Sequence, residues 1–409
     1  MIRRRSLLTF AGAGGAALTL PGAAAAHAAP SPVPAPSPVP VPVPSSVPGP
    51  AAGSGPIDLP VPTVRQPVGT VSLRLVDESR QDPFAPVPGP RELMVQLWYP
   101  AAGTAGRARA AYATARVAAV LDRTAFLDPG TLGRLRPTAR VGAPPVPGAL
   151  PLLLLGHGRK GGRSNCTALA EELAAHGYLV ASLDHTYDAA AVEFPDGRVV
   201  LSALADEPAD WDAAERKEVG VRATDLRFVA TELTTGRTVL RHPGLPCADP
   251  ARIGVLGHSM GGAAAAEAVR QDRRFAAGLD LDGGLFGSPV PDEGLDRPFL
   301  LFTALDDHDT WRRWREHQRG WGRHLRQRDS GHLSFTDLPH AAGPGHMAEH
   351  APPEVYAQLF GTIAPERATE LARAYVRAYF DRFLRGRPSP LLNAPSPRHP
   401  EVSFVWSRG

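Results

Sequence analysis

Cysteine is nearly absent from this chain: Cys166 and Cys247 are the two in 409 residues. Neither stands in a His/Asn arrangement that would make it a nucleophile. They leave open one disulfide or two separate buried thiols, because sequence carries no geometry. An excess of one charge is also missing. The formal net charge is +3 and the arginines are dispersed, so no nucleic-acid partner is expected. Beyond the first residues, no apolar run reaches the roughly 18 that a bilayer span needs. There is no internal repeat. What is present is 43% apolar, enough for the core of one large α/β domain with extensions.

The amino terminus reads as an export signal over residues 1–28. Arg3, Arg4 and Arg5 supply charge, and Arg4-Arg5-Ser6-Leu7-Leu8 resembles a twin-arginine motif. An Ala/Gly-rich apolar stretch follows, and Ala26-His27-Ala28 fits a small-x-small cleavage site. The expected location is therefore extracellular. Pro21 breaks the apolar run, which argues against a membrane anchor, and no cysteine near the cleavage site marks a lipoprotein. Residues 29–67 alternate proline with Ser, Val and Ala, a composition that favours extended polyproline II and reads as a stiff linker. The folded domain is expected over 68–409.

Within it, residues 70–75 and 93–98 read as an antiparallel opening pair of strands. Residues 103–151 are too long for a plain connection and are expected to decorate the substrate side, with a helical patch at 110–121. Leu152 to Gly156, a helix over 166–175 and a strand over 178–183 imply a parallel pair with a crossover. Residues 193–200 suggest a small hairpin, and 212–233 carry apolar positions at helical spacing. Strands over 275–281 and 298–305, a helix over 311–325, a short polar strand near Arg326 and an amphipathic helix over 368–383 follow. The expected fold is α/β: a mostly parallel central sheet flanked by helices.

The chain turns on Gly257-His258-Ser259-Met260-Gly261-Gly262. The apolar run Ile253 to Leu256 precedes it and an Ala-rich helix follows, the setting of a nucleophile elbow. A serine nucleophile needs a base, an orienting acid and two donors for the oxyanion. Of 14 histidines, His332 suits the base, being downstream of the strands in a Ser-Gly-His loop. His340, His346 and His350 lie in a Pro/Gly-rich stretch that reads as surface loop. His346 and His350 have metal-ligand spacing but no matching ligand set nearby. His258 adjoins the nucleophile but should point elsewhere. For the acid, Asp282 and Asp307 each end a strand; Asp306 can stand in for Asp307, and Asp280 lies deeper. The N–H groups of Met260 and Arg159 are the expected oxyanion donors. No metal or cofactor is called for.

These pieces, in their order, resemble the plasma-type platelet-activating factor acetylhydrolases and their bacterial secreted esterase relatives, members of the α/β-hydrolase fold. The resemblance rests on Leu97-Trp98-Tyr99-Pro100, Leu155-Gly156-His157-Gly158, Ala174 to Val180, Ile253 to Gly262, Arg274-Phe275 through Leu281-Asp282, and Ser330-Gly331-His332 to Asp337. It spans residues 68–383. It implies Ser259 as nucleophile, Asp282 as acid and His332 as base, with oxyanion donors on Arg159 and Met260. Gly284 departs from the pattern, which carries a bulky aromatic two residues after the acid. A weaker resemblance to cutinase-type polyester hydrolases, through Gly-His-Ser-Met-Gly-Gly, favours Asp307.

The expected activity is that of a serine esterase on carboxylic esters with short acyl chains, acting as a monomer on a small ester or lipid. Cutinase-like polyester hydrolysis is the alternative, an acyltransferase another, and a non-catalytic binding module on a hydrolase scaffold a reading of a different class. Trp311, Trp314 and Trp321 stand among five arginines. They are expected to pack on the sheet with the arginines in water, leaving at most a transient lipid contact. Specificity is expected from 103–151 and 193–212.

Overall fold

The computed structural model describes residues 55–238 and 244–409. The expected signal over 1–28 and the larger part of the linker lie outside the described residues. In chain order the strands are β1 (Ile57–Asp58), β2 (Val68–Gln81), β3 (Pro90–Pro100), β4 (Leu135–Arg136), β5 (Arg140–Val141), β6 (Ala149–Gly156), β7 (Leu179–Asp184), β8 (Ala191–Glu193), β9 (Val199–Leu201), β10 (Cys247–His258), β11 (Phe275–Leu281), β12 (Phe299–Thr303), β13 (Gly322–Gln327) and β14 (Val402–Arg408). The helices are α1 (Ala115–Thr124), α2 (Thr167–Ala175), α3 (Trp211–Thr234), α4 (Met260–Gln271), α5 (Val290–Glu293), α6 (Asp309–His317), α7 (Leu338–Ala342), α8 (Met347–His350), α9 (Pro353–Phe360) and α10 (Pro365–Arg385).

One ten-stranded sheet has the order β14-β13-β12-β11-β10-β6-β7-β3-β2-β5. Strands β7, β6, β10, β11, β12 and β13 run parallel to their neighbours within that block. The opening pair β2–β3 is antiparallel, as expected, and β3 is antiparallel to β7. Beyond β6 the chain extends the sheet in one direction, and from β10 in the other. Crevices at the carboxyl ends of strands at such a reversal are where open α/β sheets bind ligands.

The central strands are largely apolar because both faces are covered. In β6, Leu153 and Leu155 face Leu173 of α2 and Tyr375 and Phe380 of α10. Leu152 and Leu154 enter the opposite layer with Leu226 of α3, Ala265 of α4 and Trp311 of α6. A third cluster joins Val117, Leu121, Leu127 and Leu132 to Met347, Val355, Leu359 and Phe360. It builds a cap from α1 and α8–α9.

Several expectations are corrected. The helix expected over 311–325 ends at His317, and 322–327 is strand β13. Gln318 causes the break: its buried amide accepts the Leu295 N–H (2.9 Å) and donates to the Arg297 and Trp321 carbonyls. The patch expected at 110–121 becomes a helix only at Ala115, after the N-cap Thr114. The stretch of His340, His346 and His350, read as surface loop, holds the short helices α7 and α8, and β14 was not foreseen. The described end of the expected linker is docked on the domain. Leu59 is buried, Thr63 donates to the Glu172 carboxylate (2.8 and 2.5 Å), and Arg373 holds the Pro60 and Val61 carbonyls. The domain therefore starts before Val68.

Trp311 and Trp314 are buried, and Arg312, Arg313, Arg315 and Arg319 pair with Asp307, Asp292, Asp307 and Asp296. Both cysteines are free thiols, Cys166 buried and Cys247 exposed.

Candidate active site

Ser259 stands between β10 and α4 with φ +56° and ψ −125°. A side chain in that conformation costs of order 1–3 kcal/mol and persists only where the surroundings impose it. Here the close packing of the turn imposes it, and the flanking glycines make that packing possible. A Cβ on Gly257 would lie 2.2 Å from the Gly261 carbonyl carbon, and one on Gly261 would lie 2.4 Å from the Gly156 oxygen. The Ser259 N–H donates to the Leu281 carbonyl (2.9 Å), which fixes the turn against the neighbouring strand. Met260 is the first residue of α4, so its N–H lies among the free donors of a helix N-terminus.

Asp282 follows β11, also with positive φ (+57°). Its Oδ1 accepts the Ala304 and Leu305 N–H groups (2.7 and 3.2 Å), and its Oδ2 accepts from His332 Nδ1 (2.7 Å). The carboxylate is wholly buried, and the imidazole is 12% exposed. With Nδ1 donating to Asp282, Nε2 of His332 is left as the acceptor nitrogen. His332 heads a 3-10 turn, His332–Phe335, in which Ser334 Oγ accepts from Gly331 N–H and donates to the Phe360 carbonyl.

The rival acids lie elsewhere. Asp307 is 38% exposed and paired with Arg312 and Arg315; Asp306 is exposed and paired with Arg326. Asp280 sits under the elbow, accepting the Gly283 N–H at 2.7 Å. Burial, then the charge of Asp282, pushes its carboxyl well above the ordinary range. The rival bases are also accounted for. His340 is buried against Thr369 (2.9 Å), and His346 and His350 bond to Asp128 (2.6 and 2.7 Å) at the surface. Among the described residues no cluster of three or more such side chains can hold a metal ion.

His258 does more than point away. Its Nε2–H donates to the backbone carbonyl of His332 (2.8 Å), and the two ring centroids lie 4.7 Å apart with the planes tilted by 42°. Burial, then the neighbouring His332, lowers its pKa to about 3, so it stays neutral and holds the His332 backbone. Asp337 similarly ties the turn to α2, accepting from Thr167 and Ala168 N–H (2.6 and 3.1 Å). Burial raises its pKa to about 8. Neither role has a sequence signature, because both depend on backbone partners distant in the chain.

Gly158, Arg159, Lys160 and Gly161 line one cavity with Ser259 and His332. Apolar walls come from Leu121, Phe126, Leu132, Leu338, Met347 and Leu359, and the volume is about 120 Å³. Residues 103–151 thus do line the site. Residues 193–212 contribute no lining side chain among the described residues. They hold the loop instead: the Ala205 carbonyl accepts from Arg159 and Asp206 pairs with Lys160. The space an aromatic at Gly284 would fill is taken by Phe286 and His308, 2.8 and 3.1 Å from a built Cβ. The site brings a strained serine, a carboxylate-oriented imidazole and two loops bearing N–H groups to one apolar cavity. That set can perform acyl transfer.

Residues 96–240 match the family model of platelet-activating factor acetylhydrolase, isoform II. The chain is 30% identical over 275 residues to a probable 1-alkyl-2-acetylglycerophosphocholine esterase of Arthroderma benhamiae (63% of this chain, 66% of that one). It is 24% identical over 262 residues to the platelet-activating factor acetylhydrolase of Cavia porcellus (57% of each). It spans just under two thirds of the first and somewhat over half of the second. A solved ferulic acid esterase from Streptomyces cinnamoneus superposes with a TM-score of 0.76 at 42% identity, covering 85% of this chain and 99% of that one. The chain belongs to the esterase family of the α/β-hydrolase fold that includes platelet-activating factor acetylhydrolase, isoform II, and its bacterial relatives, and it is a carboxylic ester hydrolase.

Proposed function

We propose that the protein is an exported serine esterase that cleaves esters of short or compact acyl groups through an acyl-enzyme on Ser259. The observation that carries this reading is the 2.7 Å bond from His332 Nδ1 to the buried Asp282 carboxylate, on the wall of the cavity that Ser259 enters. His332 Nε2 takes the proton as Ser259 Oγ attacks the ester carbonyl. The oxyanion is met by the Met260 and Arg159 N–H groups, each such donor contributing on the order of 10²–10³ in rate. The imidazolium returns its proton to the leaving alcohol. Water then attacks the acyl-enzyme with His332 again as base, releasing the acid.

A cavity of about 120 Å³ is similar to the roughly 150 Å³ that accommodates a benzene ring, so it suits an acetyl group or a single ring better than a long chain. The likeness to acetylhydrolases supports the former and that to the ferulic acid esterase the latter. Turnover should be measured on p-nitrophenyl acetate, a phospholipid with a short sn-2 acyl group, methyl ferulate and a polyester film. Activity confined to the film would replace this reading with the cutinase-like one. Ser259→Ala should lower kcat on p-nitrophenyl acetate on the order of 10⁶-fold in a folded protein. Undiminished turnover would remove Ser259 from the reaction, and no turnover by the wild type on any ester would leave a binding module. Export by the twin-arginine route is checked by replacing Arg4 and Arg5 with Lys, which should retain the protein inside the cell.

A further inference from the structure

We propose that Arg222 is a positioning residue of the oxyanion hole: held by Asp188, it fixes the peptide that aims the Arg159 N–H at the reacting carbonyl. The inference rests on the reading of Ser259 as nucleophile. Arg222 lies on α3 with its side chain 1% exposed. Its Nε donates to Asp188 Oδ2 (2.6 Å), and a second bond runs from Nη2 to Oδ1. Its remaining donors go to backbone: Nη1 to the His157 carbonyl and Nη2 to the Gly158 carbonyl (3.2 Å). These are the two residues immediately before Arg159.

The Gly158 oxygen is the focus. It accepts from Arg222, from the Gly161 N–H (2.9 Å) and from His157 Nδ1–H (2.7 Å). The His157 tautomer is set by its partners. Nε2 accepts the His185 N–H (3.2 Å), so the proton is on Nδ1. Burial, then the charge of Arg222, holds His157 neutral. The peptide joining Gly158 to Arg159 is planar and trans, so its N–H points opposite its C=O. With the carbonyl drawn toward Arg222, the Arg159 N–H faces the other side. That side is the cavity: a Cβ built on Gly158 would lie 3.3 Å from Ser259 Cβ, and Gly158 and Arg159 line the space with Ser259. Among the described residues the Arg159 N–H donates to no protein acceptor, which leaves it available to substrate. The Arg159 side chain is drawn away by Glu218, one turn before Arg222 (2.8 and 3.0 Å). A buried ion pair needs only its partner and local hydrogen bonds. Two guanidinium donors on consecutive loop carbonyls, next to the hole, are what a positioning role requires.

The test compares Arg222→Ala, Arg222→Lys and Ser259→Ala with wild type on p-nitrophenyl acetate, with near-UV circular dichroism as the check of folding. Arg222→Ala should lower kcat on the order of 10²-fold while KM moves by less than about threefold. Binding of phenylboronic acid, which mimics the tetrahedral intermediate, should weaken by a factor similar to that in kcat. Millimolar guanidinium should restore part of the activity of Arg222→Ala and none of Ser259→Ala. Should Arg222→Ala not fold, Arg222→Lys keeps a cation facing Asp188 but cannot bridge both carbonyls, and should lose about tenfold in kcat. A folded Arg222→Lys with wild-type kcat overturns the proposal, as does a kcat loss in either folded variant without matching loss of boronate affinity. Full activity in Ser259→Ala would instead overturn the nucleophile, a distinct result.

Discussion

The segments after two adjacent strands, β11 and β12, each carry a carboxylate that lies near a histidine, and the two have opposite characters. At the end of β11, Asp282 is enclosed, receives two backbone N–H groups and touches His332 at 2.7 Å. Four residues past β12, Asp307 is 38% exposed, and Arg315 stands between it and His324, 3.4 Å from the carboxylate and 2.9 Å from His324 Nδ1. His324 gives its other nitrogen to Thr303 Oγ1 (3.0 Å). With Arg315 donating to it, Nδ1 is an acceptor there, whereas Nδ1 of His332 is a donor. What else such an aspartate binds decides whether it can serve a histidine as its acid. Backbone amides orient Asp282 and leave one oxygen for imidazole; arginines consume Asp307.

The largest effect that can break this contrast is in the acids themselves. Asp282→Asn should lower kcat about 10⁴-fold on p-nitrophenyl acetate, because the amide favours the wrong His332 tautomer. Asp307→Asn should stay within about twofold, since only exposed ion pairs are lost. A dead Asp307→Asn with an active Asp282→Asn would move the acid to β12 and restore the cutinase-like order.

The next effect is on the cavity. Leu121→Ala enlarges it and removes apolar contact, so KM for compact acyl esters should rise about tenfold while kcat for p-nitrophenyl acetate changes less. Steady-state kinetics on an acyl-length series checks this; an unchanged series would place the acyl group elsewhere.

The pH dependence sharpens the β12 side. Burial, then Arg315, lowers His324 to about 3 in the fold, against an ordinary value near 6.5. Between these values the unfolded chain binds the proton and the folded one does not. Stability therefore holds above about pH 6.5 and is lost as pH falls through the window toward 3. At pH 5 the loss from this residue is about 2 kcal/mol relative to pH 7.5. His324→Gln should flatten the fall of the denaturation midpoint by a matching amount, and an equal fall in both proteins would contradict it.

Asp280→Asn should have the smallest effect. Burial favours the protonated carboxyl, so an amide that keeps the Gly283 bond should leave kcat essentially unchanged. A loss near that of Asp282→Asn would show that Asp280 acts as a charged acid.

Much of this site was legible in the chain. Ser259 announced itself by strand, small flanking residues and helix, and His332 by its place after the strands. Asp282 was not separable from Asp307 by pattern; the family resemblance favoured it, and the bonds to Ala304, Leu305 and His332 give the physical ground. What stayed hidden is polar and non-local. Glu218, Arg222 and Asp225 recur at helical spacing on α3, yet spacing alone does not show that Arg159, Asp188 and Arg91 meet them. Gln318 broke a helix by bonds to carbonyls distant in sequence, and β14 lacks any partner until β13 is placed beside it. Apolar period marks which face is inward; it is silent about which buried charges meet.

The most direct test is labelling with a fluorophosphonate, followed by peptide mapping. The wild-type protein should lose esterase activity in step with one phosphonyl adduct on Ser259. The adduct should form far more slowly in Asp282→Asn and at wild-type rate in Asp307→Asn. Turnover that survives complete labelling of Ser259, or inactivation with the adduct on another residue, would contradict the account.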